Sequence, residues 1–225
     1  MRQYRGVIFD MDGLIFDSER IIMEAWQEMG RQLGYEDFGK NIFQTLGMNR
    51  EAREKYFLDK YGEKFPYEVF QEGYRQLVQR RIREQGLPTK RGLGELLDYL
   101  KGEGIPMAVG TSSSRLYTLQ KLQEAGIDAY FSAVICGDMV THSKPHPEIY
   151  ERACEALAIE PKEALVLEDS RNGIRAGLAA GASVIWIPDL VTELPQEEPY
   201  LTARFEHLGQ VARWMARIRT APAKI

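Results

Sequence analysis

The chain has 225 residues, 44% hydrophobic and 28% charged, an ordinary globular composition with length for a full core, which excludes a disordered or fibrous protein. Its formal net charge of −4 argues against a dedicated nucleic-acid binder, which needs a basic surface, and favours a small-molecule partner. Cys136 and Cys154 are too few for a disulfide framework and lack metal-ligand spacing, so they read as core thiols of a reducing compartment.

The first apolar run, Gly6–Phe9, is cut off by Asp10 and Asp12 and so reads as a strand rather than a signal segment. No apolar run approaches the roughly 20 residues that span a bilayer. A cytoplasmic location without membrane contact is expected, with a monomer as the simplest assembly. From Asp17 to about Leu87 the sequence holds helical patterns at Ser18–Leu33, Arg50–Lys60 and Tyr67–Glu84 and no convincing strand. Beyond it, β-rich runs at Pro106–Val109, Ala133–Cys136, Ala164–Leu167 and Ser183–Ile187 alternate with amphipathic helical stretches. The helices carry their own punctuation. Leu93–Lys101 ends at glycines, Ser114–Glu124 stops at Gly126, Pro147–Ala158 has proline in its first turn, and Ser170 can cap the helix that runs to Ala180. The predicted fold is α/β: a Rossmann-like parallel sheet core of residues 1–16 and 88–225, with an α-helical cap domain inserted at 17–87.

In an open parallel sheet, ligands bind outside the carboxyl ends of the strands. The first strand is followed by Asp10-Met11-Asp12-Gly13, the second by Gly110-Thr111-Ser112-Ser113, and the fourth by Glu168-Asp169-Ser170; the loop after the third carries Ser143-Lys144-Pro145. Collecting Asp10, Asp12, Glu168 and Asp169 at one edge demands compensation, because like charges about 4 Å apart repel by roughly 4 kcal/mol at an effective dielectric of 20. Lys144 supplies one positive charge. A hard cation with oxygen ligands supplies the other, and Mg²⁺ held by carboxylates plus substrate phosphate fits. Asp10, at the strand tip, is the candidate nucleophile for an aspartyl-phosphate, and Asp12 can protonate the leaving oxygen and later activate water. Thr111, Ser112 and their amides offer donors to phosphate oxygens, Lys144 offsets the charge on the transferring group, and Gly13 allows a sharp turn.

These segments, with Asp17-Ser18-Glu19, occur in an order that resembles the haloacid dehalogenase superfamily, within it the β-phosphoglucomutase-like phosphatases with a helical cap. The resemblance implies that Asp10 is the nucleophile and Asp12 the general acid/base. It further implies a metal bound by the Asp10 side chain, the Asp12 backbone carbonyl and Asp169, with Glu168 reaching the ion directly or through water. Thr111 and Lys144 take the family's Thr/Ser and lysine positions. True dehalogenases of the superfamily lack the second aspartate, so Asp12 disfavours dehalogenation.

The expected function is Mg²⁺-dependent hydrolysis of a small phosphorylated metabolite, with a β-phosphoglucomutase-type phosphomutase as the alternative. Those mutases carry a cap histidine where this chain has Ile22 and a Lys-Gly pair where it has Leu46-Gly47; only Arg50 matches. Residues 46–50, with Asn49 and Arg50, are expected to select substrate, although Asn49 as a helix cap explains the same residues. A response-regulator phosphoacceptor uses similar groups, but lacks a helical insert after its first strand. A binding protein without turnover is weakened because no catalytic residue type is missing. His142 and His146 are read as loop histidines, His207 as the opening of a terminal helix, and Arg80 to Arg83 as a solvated helix face. Trp214 and Met215 are read as docking contacts of that last helix.

Overall fold

Val7, Ile8 and Phe9 have no solvent exposure. A short run buried on both faces is what a central strand of a parallel sheet requires. The computed structural model describes residues 4–45, 48–190, 193 and 196–220. Its sheet contains β1 (Gly6–Phe9), β2 (Met107–Gly110), β3 (Ala133–Ile135), β4 (Ala164–Glu168), β5 (Ser183–Trp186) and β6 (Ala203–Arg204) in the order β3-β2-β1-β4-β5-β6. Every pairing is parallel. The chain therefore winds outward in both directions from β1, and the crevice of such a sheet lies at the β1–β4 junction.

Between β1 and β2 come α1 (Ser18–Gln32), a 3₁₀ turn at Phe38–Asn41 leading into the short α2 (Ile42–Thr45), α3 (Arg50–Tyr61), α4 (Tyr67–Gln85) and α5 (Leu93–Gly102). The first four helices close on a separate aromatic core that includes Trp26, Phe38, Phe57, Phe65, Phe70 and Tyr74. Phe38 stacks on Phe57 at 5.2 Å and on Phe65 at 5.7 Å. Large rings of this kind bring much apolar area and edge-to-face or offset stacking into a small helical unit.

The rest alternates as expected. Helices α6 (Arg115–Glu124), α7 (Glu148–Ala156), α8 (Arg171–Ala179) and α9 (Leu208–Thr220) cover the sheet. The Ser170 hydroxyl accepts from the Gly173 amide and caps α8. Met215 is buried and Trp214 lies 6.1 Å from Tyr4, so α9 docks as read. Cys136 and Cys154 are buried free thiols. Two features went unread: the turn and helix at 38–45, and the two-residue edge strand β6. Leu46 and Gly47 lie outside the described residues. No helix among those described is long and apolar enough to cross a membrane.

The two crossings between the sheet and the helical insert run side by side. Phe16 and Thr89 form an antiparallel bridge, the Asp17 amide donates to the Pro88 carbonyl, and the Lys90 amide donates to the Ile15 carbonyl.

Candidate active site

Because β1 lies between β2 and β4, Asp10, Thr111 and Glu168 stand at adjacent strand tips. Lys144 enters from the loop after β3 and is 3% exposed. Its ammonium donates to Asp10 Oδ1 at 2.5 Å, Glu168 Oε1 at 2.7 Å and the Gly110 carbonyl at 3.0 Å, which uses all three of its protons. Burial alone would lower the Lys144 pKa, but Asp10 and Glu168 outweigh it and hold the group charged. Asp10 is pushed up to about 7, first by burial; Lys144 opposes the rise and Glu168 and Asp12 add to it.

Glu168 has a structural task that its position in the sequence does not reveal. The Tyr150 hydroxyl donates to Oε1 at 2.6 Å, while Oε2 accepts from the Asp169 amide, the Ser170 amide and the Ser170 hydroxyl. Both oxygens are engaged, so Glu168 fixes Lys144 and the turn into α8. A Cβ on Gly173 would lie 1.6 Å from Glu168 Oε1, so only glycine lets α8 start this close.

Asp12 is held from two sides. Ser18 at the start of α1 donates to Oδ1 at 2.8 Å, and Ser113 ahead of α6 donates to Oδ2 at 2.6 Å. The acid/base candidate is thus oriented by one hydroxyl from the insert and one from the core; both serines stand in segments singled out in the sequence, where neither was given a role toward Asp12. Gly13 has φ +84°, and a Cβ there would fall 2.4 Å from Asp169 Oδ2 and 3.0 Å from the Glu19 carboxyl carbon. Thr111 corrects one expectation: its amide donates to the Ile135 carbonyl in the sheet, so its hydroxyl, which accepts from the Ser113 amide, is what can turn to a phosphate.

Asp10, Glu168 and Asp169 each offer a carboxylate oxygen within 4.8 Å of the others. Asp169 is buried and its Oδ1 has no hydrogen-bond partner. Its pKa is raised well above the ordinary range by burial, then by Glu19, Glu168 and Asp10. A buried oxygen without a donor, in an oxygen-only group, suits a hard divalent cation. His142 and His146 stack at 4.5 Å on the exposed loop, and with Glu148 they form a second, solvent-facing group.

The sign of the pH dependence follows from these shifts. Asp10, Glu19 and Asp169 all have folded-state values raised above the ordinary carboxyl range, with burial the first cause. Between that range and about pH 7 the folded chain holds protons that the unfolded chain has released, so stability is full at low pH and declines as pH rises. The melting temperature of chelator-treated protein is expected to fall between about pH 5 and about pH 8, and Mg²⁺ to restore it mainly at the upper end. A flat profile without the cation would contradict this.

On the insert side, Asn49 caps α3, its Oδ1 accepting from the Ala52 amide at 2.9 Å, and exposed Arg50 pairs with Glu68 at 2.8 Å. Among the described contacts neither side chain joins the Asp10 group. Arg53, one turn on, lies against the insert core. It donates to the Tyr74 hydroxyl at 3.3 Å and the Met48 carbonyl at 3.0 Å, lies 5.7 Å from the Trp26 ring centroid, and keeps a buried Nε without a partner. Tyr117 of α6 is half-buried, and burial, then the nearby Asp12 and Tyr74, push its pKa up. Arg80 and Arg81 pair with Glu24 and Glu28 on α1, as a solvated face would.

A parallel sheet of this order, carrying an aspartate pair, a buried lysine and a further aspartate at its carboxyl edge, defines a phosphoryl-transfer type of α/β hydrolase. The family profile of haloacid dehalogenase-like hydrolases matches residues 7–187, and the chain belongs to that family. A phosphorylated carbohydrates phosphatase of Thermotoga maritima is 31% identical over 80% of this chain and 83% of its own length. A fructose-1-phosphate phosphatase of Escherichia coli is 30% identical over 81% of this chain and 96% of its own. The crystal structure of a putative β-phosphoglucomutase from Thermotoga maritima superimposes with a TM-score of 0.76 at 25% identity, covering 95% of this chain and 99% of the other. The chain is a phosphomonoesterase-type hydrolase.

Proposed function

We propose that the protein hydrolyses a small phosphorylated carbohydrate, or a closely similar metabolite, through an aspartyl-phosphate on Asp10 with Mg²⁺ as cofactor. The observation that carries this reading is the buried Lys144 ammonium clamped between Asp10 and Glu168, with Asp12 oriented beside it by Ser18 and Ser113. The substrate class rests on the relatives named for phosphorylated carbohydrates and fructose 1-phosphate.

In the first step an Asp10 oxygen forms a bond to phosphorus as the ester P–O bond breaks, and Asp12 gives its proton to the leaving oxygen. In the second, Asp12 takes a proton from water, the water oxygen bonds to phosphorus, and the Asp10–phosphorus bond breaks. Ester and water become alcohol and inorganic phosphate, and both aspartates are restored. Lys144 and the Thr111 hydroxyl hold the transferring oxygens. Asp10, Asp169 and the Asp12 backbone carbonyl would hold Mg²⁺. When bound, it neutralises negative charge on the phosphoryl oxygens and draws the raised Asp10 carboxyl down into its ionised form.

Phosphate release from sugar, polyol and nucleoside monophosphates, with and without Mg²⁺, tests the proposal. Turnover that is greatest on sugar phosphates and lost on chelation is expected, and cation-independent release would overturn it. Isomerisation of β-glucose 1-phosphate sustained by a bisphosphate would favour the mutase instead. Against that stands Ile22, a hydrocarbon packed on the insert core where those mutases have a proton-carrying histidine.

Arg53, rather than Arg50, is assigned to substrate recognition. Arg53→Met is expected to raise KM by about tenfold or more, equivalent to roughly 1.4 kcal/mol, with a smaller change in kcat. Arg50→Met should leave KM within about twofold. The reverse ranking in steady-state kinetics would return the role to Arg50.

A further inference from the structure

We propose that His142, His146 and Glu148 form a binding site for a divalent cation of the zinc or nickel kind, one that clasps the loop carrying Lys144. Each of the three residues offers a ligand atom within 4.8 Å of the other two. His142 and His146 are exposed, and their rings lie face to face with centroids 4.5 Å apart. Both imidazoles turn Nδ1 toward Glu148. That of His142 lies 3.2 Å from Glu148 Oε2, and that of His146 accepts from the Glu148 amide at 3.3 Å. Imidazole suits zinc, nickel and copper, whereas Mg²⁺ takes oxygen, so this group and the carboxylates at the sheet edge sort different metals.

The frame for the ion is already built. The Thr141 and His142 amides donate to the Glu148 carboxylate at 2.8 to 3.1 Å, and Arg152 pairs with it at 2.7 Å. The carboxylate at the head of α7 is therefore fixed, with its side chain 14% exposed. Pro145 disrupts the helical route by which residues four apart usually meet. A turn brings the histidines together instead, closed by the His146 amide on the Ser143 carbonyl at 3.0 Å. With the backbone and the carboxylate held, capture of an ion orders little more than two ring torsions. Three protein ligands leave a position for water, as in open zinc sites. Ser143, Lys144 and Pro145 lie between the two histidines, so an ion held by both ties the two ends of the segment from which Lys144 reaches Asp10.

Calorimetric titration of the full chain with Zn²⁺, in excess Mg²⁺ to occupy the carboxylate group, tests this against a variant carrying both His142→Gln and His146→Gln. Wild type is expected to bind one Zn²⁺ more than the double variant, and each single variant to hold that ion at least about tenfold more weakly. Both rings are exposed, so the variants should fold and, without Zn²⁺, melt with wild type. Zn²⁺ should then raise the melting temperature of wild type more than that of the double variant. Equal Zn²⁺ binding by wild type and the double variant would overturn the site and leave the proposed function standing.

Discussion

Asp10→Asn is expected to reduce phosphate release by at least about 10⁴-fold, the scale on which removing a covalent nucleophile acts. The substitution keeps the shape of the side chain and can still accept from Lys144, but the amide is a poor nucleophile for phosphorus. Folding should survive. Asp10 is buried and its carboxyl is raised to about 7, so exchanging it for a neutral group removes a charge that the folded state holds at a cost. The discriminating measurement is trapping: wild-type protein quenched in acid during turnover should carry labelled phosphate on the chain, and Asp10→Asn should carry none. Activity within about tenfold of wild type would remove Asp10 from the mechanism.

Lys144→Ala is expected to be the most damaging change to the fold as well as to the reaction. It leaves Asp10 and Glu168 side by side in the interior without the ammonium that bridges them, and breaking a buried pair in this way costs about 3–5 kcal/mol. Because Asp10 can then take up a proton, the loss should shrink as the pH is lowered, the direction in which a raised carboxyl regains stability. Urea denaturation at about pH 5 and about pH 8 measures both effects. A variant as stable as wild type at both would mean that Glu168 is satisfied by Tyr150 and Ser170 alone.

The legible parts of the molecule were those in which local pattern and tertiary environment agree. The sheet strands β1 to β5 are short apolar runs because both faces are covered, and the residues after them converge because parallel strands share one polarity. Strand β6 was not legible, since two residues at an edge, one of them exposed Arg204, carry no pattern. Glu19 entered the sequence reading only as the last residue of the Asp17-Ser18-Glu19 segment, without a role. Only the fold shows it facing Asp169. Arg50 stood out in the sequence by its match to the mutases' arginine and Arg53, three residues on in the same helix, did not; that Arg50 pairs with Glu68 while Arg53 meets Tyr74 on α4 is a fact of packing rather than of pattern. Ser18 and Ser113 are likewise silent until Asp12 is seen between them.

The paired crossings at Phe16 and Thr89 carry a consequence for how such a protein varies. The backbone leaves the sheet and returns to it at one point, held by its own hydrogen bonds. The four helices in between are, to the sheet, a single long excursion whose length adds little to the entropy of closing it. That excursion can be lengthened, shortened or replaced without moving a strand. Among the polar contacts that cross the junction are the Ser18 hydroxyl on Asp12, the Glu19 carboxylate near Asp169 and Asp189, and the Asp17–Lys90 ion pair. A transplanted set of helices would need to bring Asp17, Ser18 and Glu19 with it, together with its own means of gripping a substrate.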